Sequence, residues 1–166
     1  MIFTTGISRS GKSSTIGQFI FGRNFRHLKG SELLRKAGRP IRQISKATAN
    51  ENQRILLELL KALPIDDMTI FDGHVLIETT EGIFPVPDWV FDGLMMSKMI
   101  CIINDPEEIV ASRGQQAWNV EVKDIEQLQE AERRYAISQA KRLTVPCFEV
   151  RAFDIAGFSA AIESHI

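Results

Sequence analysis

The sequence of 166 residues holds only two cysteines. Cys101 in "MICIIN" and Cys147 in "PCFEV" both sit in apolar runs, where a free thiol behaves as a small core hydrophobe. That excludes a disulfide framework and gives no cysteine-based metal site. No apolar run approaches the length of a membrane span, and no charged leader with an apolar stretch precedes the first motif. The expectation is therefore a cytoplasmic protein with no membrane partner. Repeats, low-complexity tracts and Pro- or Gly-rich linkers are absent too, so nothing divides the chain, and its length suits one domain over 1–166. The basic residues are scattered, with no Lys/Arg run longer than two and little interleaved aromatic, which speaks against nucleic acid as a partner. No Ser/His/Asp arrangement for covalent catalysis stands out.

What is present is ordinary in bulk, with 44% apolar and 25% charged residues, as in globular domains generally. The net charge of -1 hides an asymmetry. Met1 to Lys61 hold twelve Lys and Arg against three Asp and Glu, whereas Ala62 to Ile166 hold eight against eighteen. A basic half of this kind suits small phosphorylated ligands.

That half opens with Gly6-Ile7-Ser8-Arg9-Ser10-Gly11-Lys12-Ser13, which fits the phosphate-loop pattern G-x-x-x-x-G-K-[ST]. It follows an apolar strand, "MIFTT", and opens a helical stretch, the context that gives the pattern its meaning. Gly6 and Gly11 let the backbone turn tightly, so the amides of Ser8, Arg9 and Ser10 and the start of the helix face the phosphates. Lys12 would reach the β- and γ-phosphates, Ser13 would ligate Mg²⁺, and Ser14 is a neighbouring donor. Such a loop can serve transfer to an acceptor, hydrolysis or nucleotide sensing, and by itself it does not choose.

The remaining apolar runs are "MTIFDG", "MICIIND", "PCFEVRAF" and a weaker "FRHLKG". With helices between them, they predict a three-layer α/β sandwich around a parallel five-stranded sheet. Helices are expected over Lys12–Gly22, Ser31–Lys36, Ile44–Leu63, Trp89–Met96, Pro106–Arg113, Asp124–Leu143 and Ala156–His165. Asp72 ends a strand and is the candidate acidic group for Mg²⁺, with His74 two residues on. Further cations needed for phosphoryl transfer come from Arg35, Arg39, Arg42, Arg113, Arg133 and Arg134, among which Arg39 and Arg42 flank a turn suited to an acceptor phosphate. The polar stretch Ser112–Asp124 reads as a short lid containing Trp118.

Together "TTGISRSGKSS", "KGSELL", "TIFDGHVLIETTEGIFPVPDWVFDGL", "PEEIVASR" and "EAERRYAISQAKRL" resemble the archaeal-type adenylate kinases and, more widely, the P-loop nucleoside monophosphate kinases. The resemblance runs nearly end to end. It implies a P-loop NTPase fold of the nucleoside monophosphate kinase kind, with an acceptor-binding helical segment at about 30–61 and a lid at about 112–124. It implies ATP and Mg²⁺ on Gly11, Lys12, Ser13, Ser14 and Asp72, an acceptor near Gly30, Ser31, Arg39, Arg42 and His74, and Arg113 as the arginine before the lid. One departure stands out: the family carries a pair of lid arginines, whereas "QQAWNVEVKD" has none and offers only Lys123. The favoured reading is a kinase for a nucleoside monophosphate such as AMP. The alternatives are an ATPase or ATP-binding module acting through a protein partner, and a kinase for a non-nucleotide metabolite.

Overall fold

The computed structural model describes residues 1–114 and 121–164. Five strands, β1 (Ile2–Thr5), β2 (Arg26–Lys29), β3 (Thr69–Asp72), β6 (Lys98–Ile103) and β7 (Cys147–Arg151), form one parallel sheet in the order β2-β3-β1-β6-β7. The chain steps from β1 to one side for β2 and β3, then crosses to the other for β6 and β7. Ligands of open parallel sheets collect beyond the strand C-termini at such a reversal.

Alternation along each strand sorts the side chains into two layers. Ile2, Ile70, Ile100 and Ile102 join Ile16 and Phe19 of α1 (Lys12–Ile20) and Phe158 of α7 (Ile155–Glu163) on one face. Phe3, Phe71 and Met99 face the other way, into a larger core with α3 (Lys46–Lys61), α4 (Asp88–Leu94) and α6 (Val122–Leu143). Phe3 anchors that core, stacked on Phe71 at 5.6 Å and edge-on to Phe91 at 6.2 Å between ring centres. The helices α2 (Gly30–Lys36) and α5 (Pro106–Arg113) complete the layers. This is the expected three-layer α/β sandwich, and each of the seven expected helices is found among the described residues with limits within two residues of those expected, apart from the expected end of the last at His165, which lies outside the described residues.

One element departs from expectation. The stretch "VLIETTEGIFPVP", which sequence reading treats as a turn before a helix, folds into an antiparallel hairpin of β4 (Leu76–Thr79) and β5 (Gly82–Pro85). The Thr79-Thr80-Glu81-Gly82 turn closes it, with Gly82 at φ 95°, a conformation that disfavours any other residue. Cys101 is buried, Cys147 is partly so, and both thiols are free. Burial, with help from the Glu149 charge, pushes the Cys147 thiol up to about 11. Among the described residues no helix is long and apolar enough to cross a membrane.

Candidate functional site

The loop between β1 and α1 is shaped by its glycines. A Cβ on Gly6 would stand 2.7 Å from the Ile102 carbonyl oxygen, and one on Gly11 would press 3.2 Å from the Phe153 ring, so only glycine lets the loop thread between the ends of β6 and β7. Arg9 and Gly11 both take positive φ, at 68° and 91°, turning backbone amides inward as an anion nest does. The first turn of α1 has no side-chain cap and no acidic residue. By contrast α3, α5 and α7 are capped by Ser45, Asp105 and Asp154. Ser10 Oγ is buried there without a partner among the described residues. Orphan donors at a helix start, with an orphan hydroxyl beside them, make a fitting cradle for a phosphate group.

Asp72 closes the site from the C-terminal end of β3, where the sheet register sets it opposite both Thr4 and Lys29. Its Oδ1 lies 2.7 Å from Lys12 Nζ, and its Oδ2 accepts from Ser13 Oγ at 2.5 Å and from His27 Nε2 at 3.1 Å. Burial opposes the charge of Asp72, but the His27 hydrogen bond, the Lys12 ammonium and the Ser13 hydroxyl outweigh it and hold the carboxyl well below the usual carboxylate range. A hydroxyl and a carboxylate side by side are hard oxygen donors of the kind Mg²⁺ takes in phosphate-loop sites. Ser14 is exposed on the first helical turn and lies off the cavity described below.

His74 is turned back on the loop, its Nδ1 donating to the Gly6 carbonyl at 2.8 Å. Burial, then the nearby Lys12 charge, push its pKa down to about 3, so the ring is neutral and its Nε2 is an acceptor. Glu132 of α6 braces the same region from below. It accepts from Thr5 Oγ1 at 2.5 Å and from the backbone amides of Gly6, Val75 and Leu76 at 3.2, 3.1 and 2.9 Å. One carboxylate thus ties the end of β1, the start of the phosphate loop and the chain after His74 together.

From Lys12, Ser13 and Asp72 a cavity of about 320 Å³ runs between α2 and α3. Gly30, Ser31, Arg42 and His74 line it, as does Arg35, which sequence reading named among the extra cations. Arg39 does not: its Nε donates to Asn52 Oδ1 at 2.9 Å instead. Arg113, at the end of α5, makes a two-pronged ion pair with Glu78 of the hairpin, at 2.9 and 3.0 Å. Arg133 and Arg134 are engaged by Glu130 on their own helix and stand apart from the cavity. Of the expected lid, Gln115–Val120, with Trp118, lie outside the described residues.

Sequence reading passed over His27, Glu132 and the pair Asn52 and Gln53. Only Glu132 left a signal, as a charged residue on the apolar face of a long helix.

The family model described as an AAA domain matches residues 5–131. None of the curated proteins matches the sequence significantly. Among solved structures, shikimate kinase from Acinetobacter baumannii in complex with shikimate superposes with a TM-score of 0.62 at 12% identity, over 95% of this chain and 88% of that one. Shikimate kinase from Aquifex aeolicus gives 0.59 at 18%, over 98% and 95%, and a gluconokinase from Sinorhizobium meliloti gives 0.54 at 12%, over 98% and 93%. At these identities the likeness is one of fold, and the fold is that of the P-loop kinases.

Proposed function

The chain belongs to the AAA-domain family, and from that premise we propose that it is a Mg·ATP-dependent kinase for a small acceptor, a nucleoside monophosphate being the best fit. The observation that carries this reading is the cavity that opens directly from Lys12, Ser13 and Asp72 and continues between α2 and α3. A hydrolase needs room only for water, whereas a kinase needs a second pocket beside the γ-phosphate. Two of the similar structures are shikimate kinases, one of them in complex with shikimate, a hydroxylated acid. Here, however, the deep walls are Leu34, Ile44, Leu56, Phe71 and Phe91. Those walls suit the faces of a nucleobase, and Ser31, Arg35, Arg42 and Gln53 line the same cavity with polar groups for its edge and phosphate.

The amides of the loop and the start of α1 hold the phosphate chain. Ser13 and Asp72 would hold Mg²⁺, which when bound neutralises charge on the phosphates. Lys12 leaves Asp72 for the transferring phosphoryl. An acceptor phosphate oxygen forms the new bond to the γ-phosphorus as the bond to the β–γ bridging oxygen breaks, and ADP departs with the electron pair. No general base is required, because the acceptor phosphate is already an anion. Arg42 and Arg35 line the cavity that would receive it, and Arg113, paired with Glu78 at the end of α5, is the further cation that would have to join them. The half-exposed ring of Phe153, beside Gly11, offers the adenine of ATP a surface.

A second reading rests on one feature, the absence of arginine between Gln115 and Asp124, which suits slow hydrolysis and a protein partner. The deciding experiment measures ADP formation with Mg·ATP alone and with each nucleoside monophosphate, shikimate and gluconate, against Lys12→Ala as blank. Acceleration by one monophosphate, with its diphosphate appearing, is the expected result. Lys12-dependent hydrolysis that no acceptor accelerates would turn the assignment to the partner-coupled ATPase.

A further inference from the structure

Two adjacent amides of α3 point into the molecule, and they differ in what they touch. Asn52 is engaged on both sides: its Oδ1 accepts from Arg39 and its Nδ2 donates to the Pro40 carbonyl at 2.8 Å. It ties α3 to the link that follows α2. Gln53 is only 6% exposed and lines the cavity, yet its amide makes no hydrogen bond to any described residue.

A primary amide carries two donors and an acceptor oxygen, and those of Gln53 are open to the cavity and not sealed within the core. Ala49 and Leu56, one turn away on either side, line the same wall as apolar residues. Of the two amides that α3 places on that wall between Ala49 and Leu56, Asn52 is committed and Gln53 has no partner among the described residues. Its flat fork offers a donor beside an acceptor in one plane, a pattern met by a nucleobase edge through two parallel hydrogen bonds. A single hydroxyl meets only half of it at a time.

We infer that Gln53 is a specificity-determining residue for the acceptor: it reads the edge of a nucleobase whose faces lie against the apolar walls of the cavity. This rests on the kinase reading above. Because the amide can turn over, it accepts either order of donor and acceptor. It therefore selects for the paired edge rather than for one particular base.

The test pairs a protein change with a ligand change. The monophosphate giving the highest kcat/KM is compared with its analogue lacking the exocyclic amino or oxo group, purine riboside monophosphate in the case of AMP. Both are assayed on the wild type and on Gln53→Met, which keeps the length and loses the hydrogen bonds. Wild type should lose about tenfold to a hundredfold in kcat/KM with the analogue. Gln53→Met should show a similar loss with the natural acceptor and little further loss with the analogue, at an unchanged KM for ATP. Should the Met variant fail to fold, Gln53→Glu, with acceptors only, takes its place. Equal sensitivity of variant and wild type to the analogue would overturn the role of Gln53 while leaving the kinase standing. A wild type that turns over no nucleotide would bring down the nucleobase reading itself, and the two failures differ because only in the second is the wild type silent.

Discussion

Glu132 is 1% exposed and has the amides of Gly6, Val75 and Leu76 and the hydroxyl of Thr5 directed at it. Burial pushes its carboxyl up, and the hydrogen bonds offset that only in part, so the group is retained for what it organises. Glu132→Leu keeps the space filled and removes the acceptor. Val75 keeps a second partner in Thr5 Oγ1, but the amides of Gly6 and Leu76 lose theirs. A loss of about 3 kcal/mol in urea unfolding is expected, together with weaker ATP binding because Gly6 begins the phosphate loop. A change under about 0.5 kcal/mol would mean that the three segments are held by other contacts. This residue also marks the limit of what could be read from sequence. The loop was legible because its glycines, Lys12 and Ser13 are contiguous and local geometry fixes their roles. Glu132 contacts residues far along the chain, and only its spacing from Ile125, Ala136, Gln139 and Ala140 on the buried helix face betrays it. His27 and Gln53 carry no such mark, since their meaning arises only when β2 lies beside β3 and α3 covers the cavity.

At the level of elements, strands and helices followed from apolar runs and caps, whereas the β4–β5 hairpin was missed because it is short and lies off the main sheet. Its neighbours gave no cue either: Glu78 and Arg113 are 35 residues apart. The hairpin matters because Glu78 holds Arg113 in a two-pronged pair whose guanidinium is largely buried and whose carboxylate is exposed. If Arg113 served only to pin the hairpin, Glu78→Ala and Arg113→Ala would act alike. The proposed role at the phosphoryl group predicts that they separate. Arg113→Ala should lower kcat by about a hundredfold or more, as expected for a charge-stabilising arginine. Glu78→Ala should cost only about 1 kcal/mol of stability, since the pair is partly open to solvent, and leave most of kcat. Matching losses of kcat in the two variants would make the pair a structural clasp and remove Arg113 from the chemistry.

Across the whole molecule, the phosphate loop, Asp72 and the acceptor cavity share one edge of the sheet, where β1, β3 and β2 end in register. Four of the twelve cations in the first 61 residues, Arg9, Lys12, Arg35 and Arg42, line the cavity at that edge, where an anionic ligand would neutralise them. Binding confined to the folded state adds stability by mass action, about 2.7 kcal/mol at a hundredfold excess over Kd. For a domain of this size that corresponds to a rise in Tm of roughly 5–10 °C. Mg·ATP should give such a rise in the wild type and much less in Lys12→Ala. Phe153→Ala should give an intermediate rise, because it leaves the phosphate cradle intact and removes only the ring beside Gly11. Equal shifts in all three proteins would place the nucleotide elsewhere on the molecule and detach the loop from the function argued for it. A wild-type shift that disappears in Lys12→Ala would tie the stability of the fold to occupancy of its first turn.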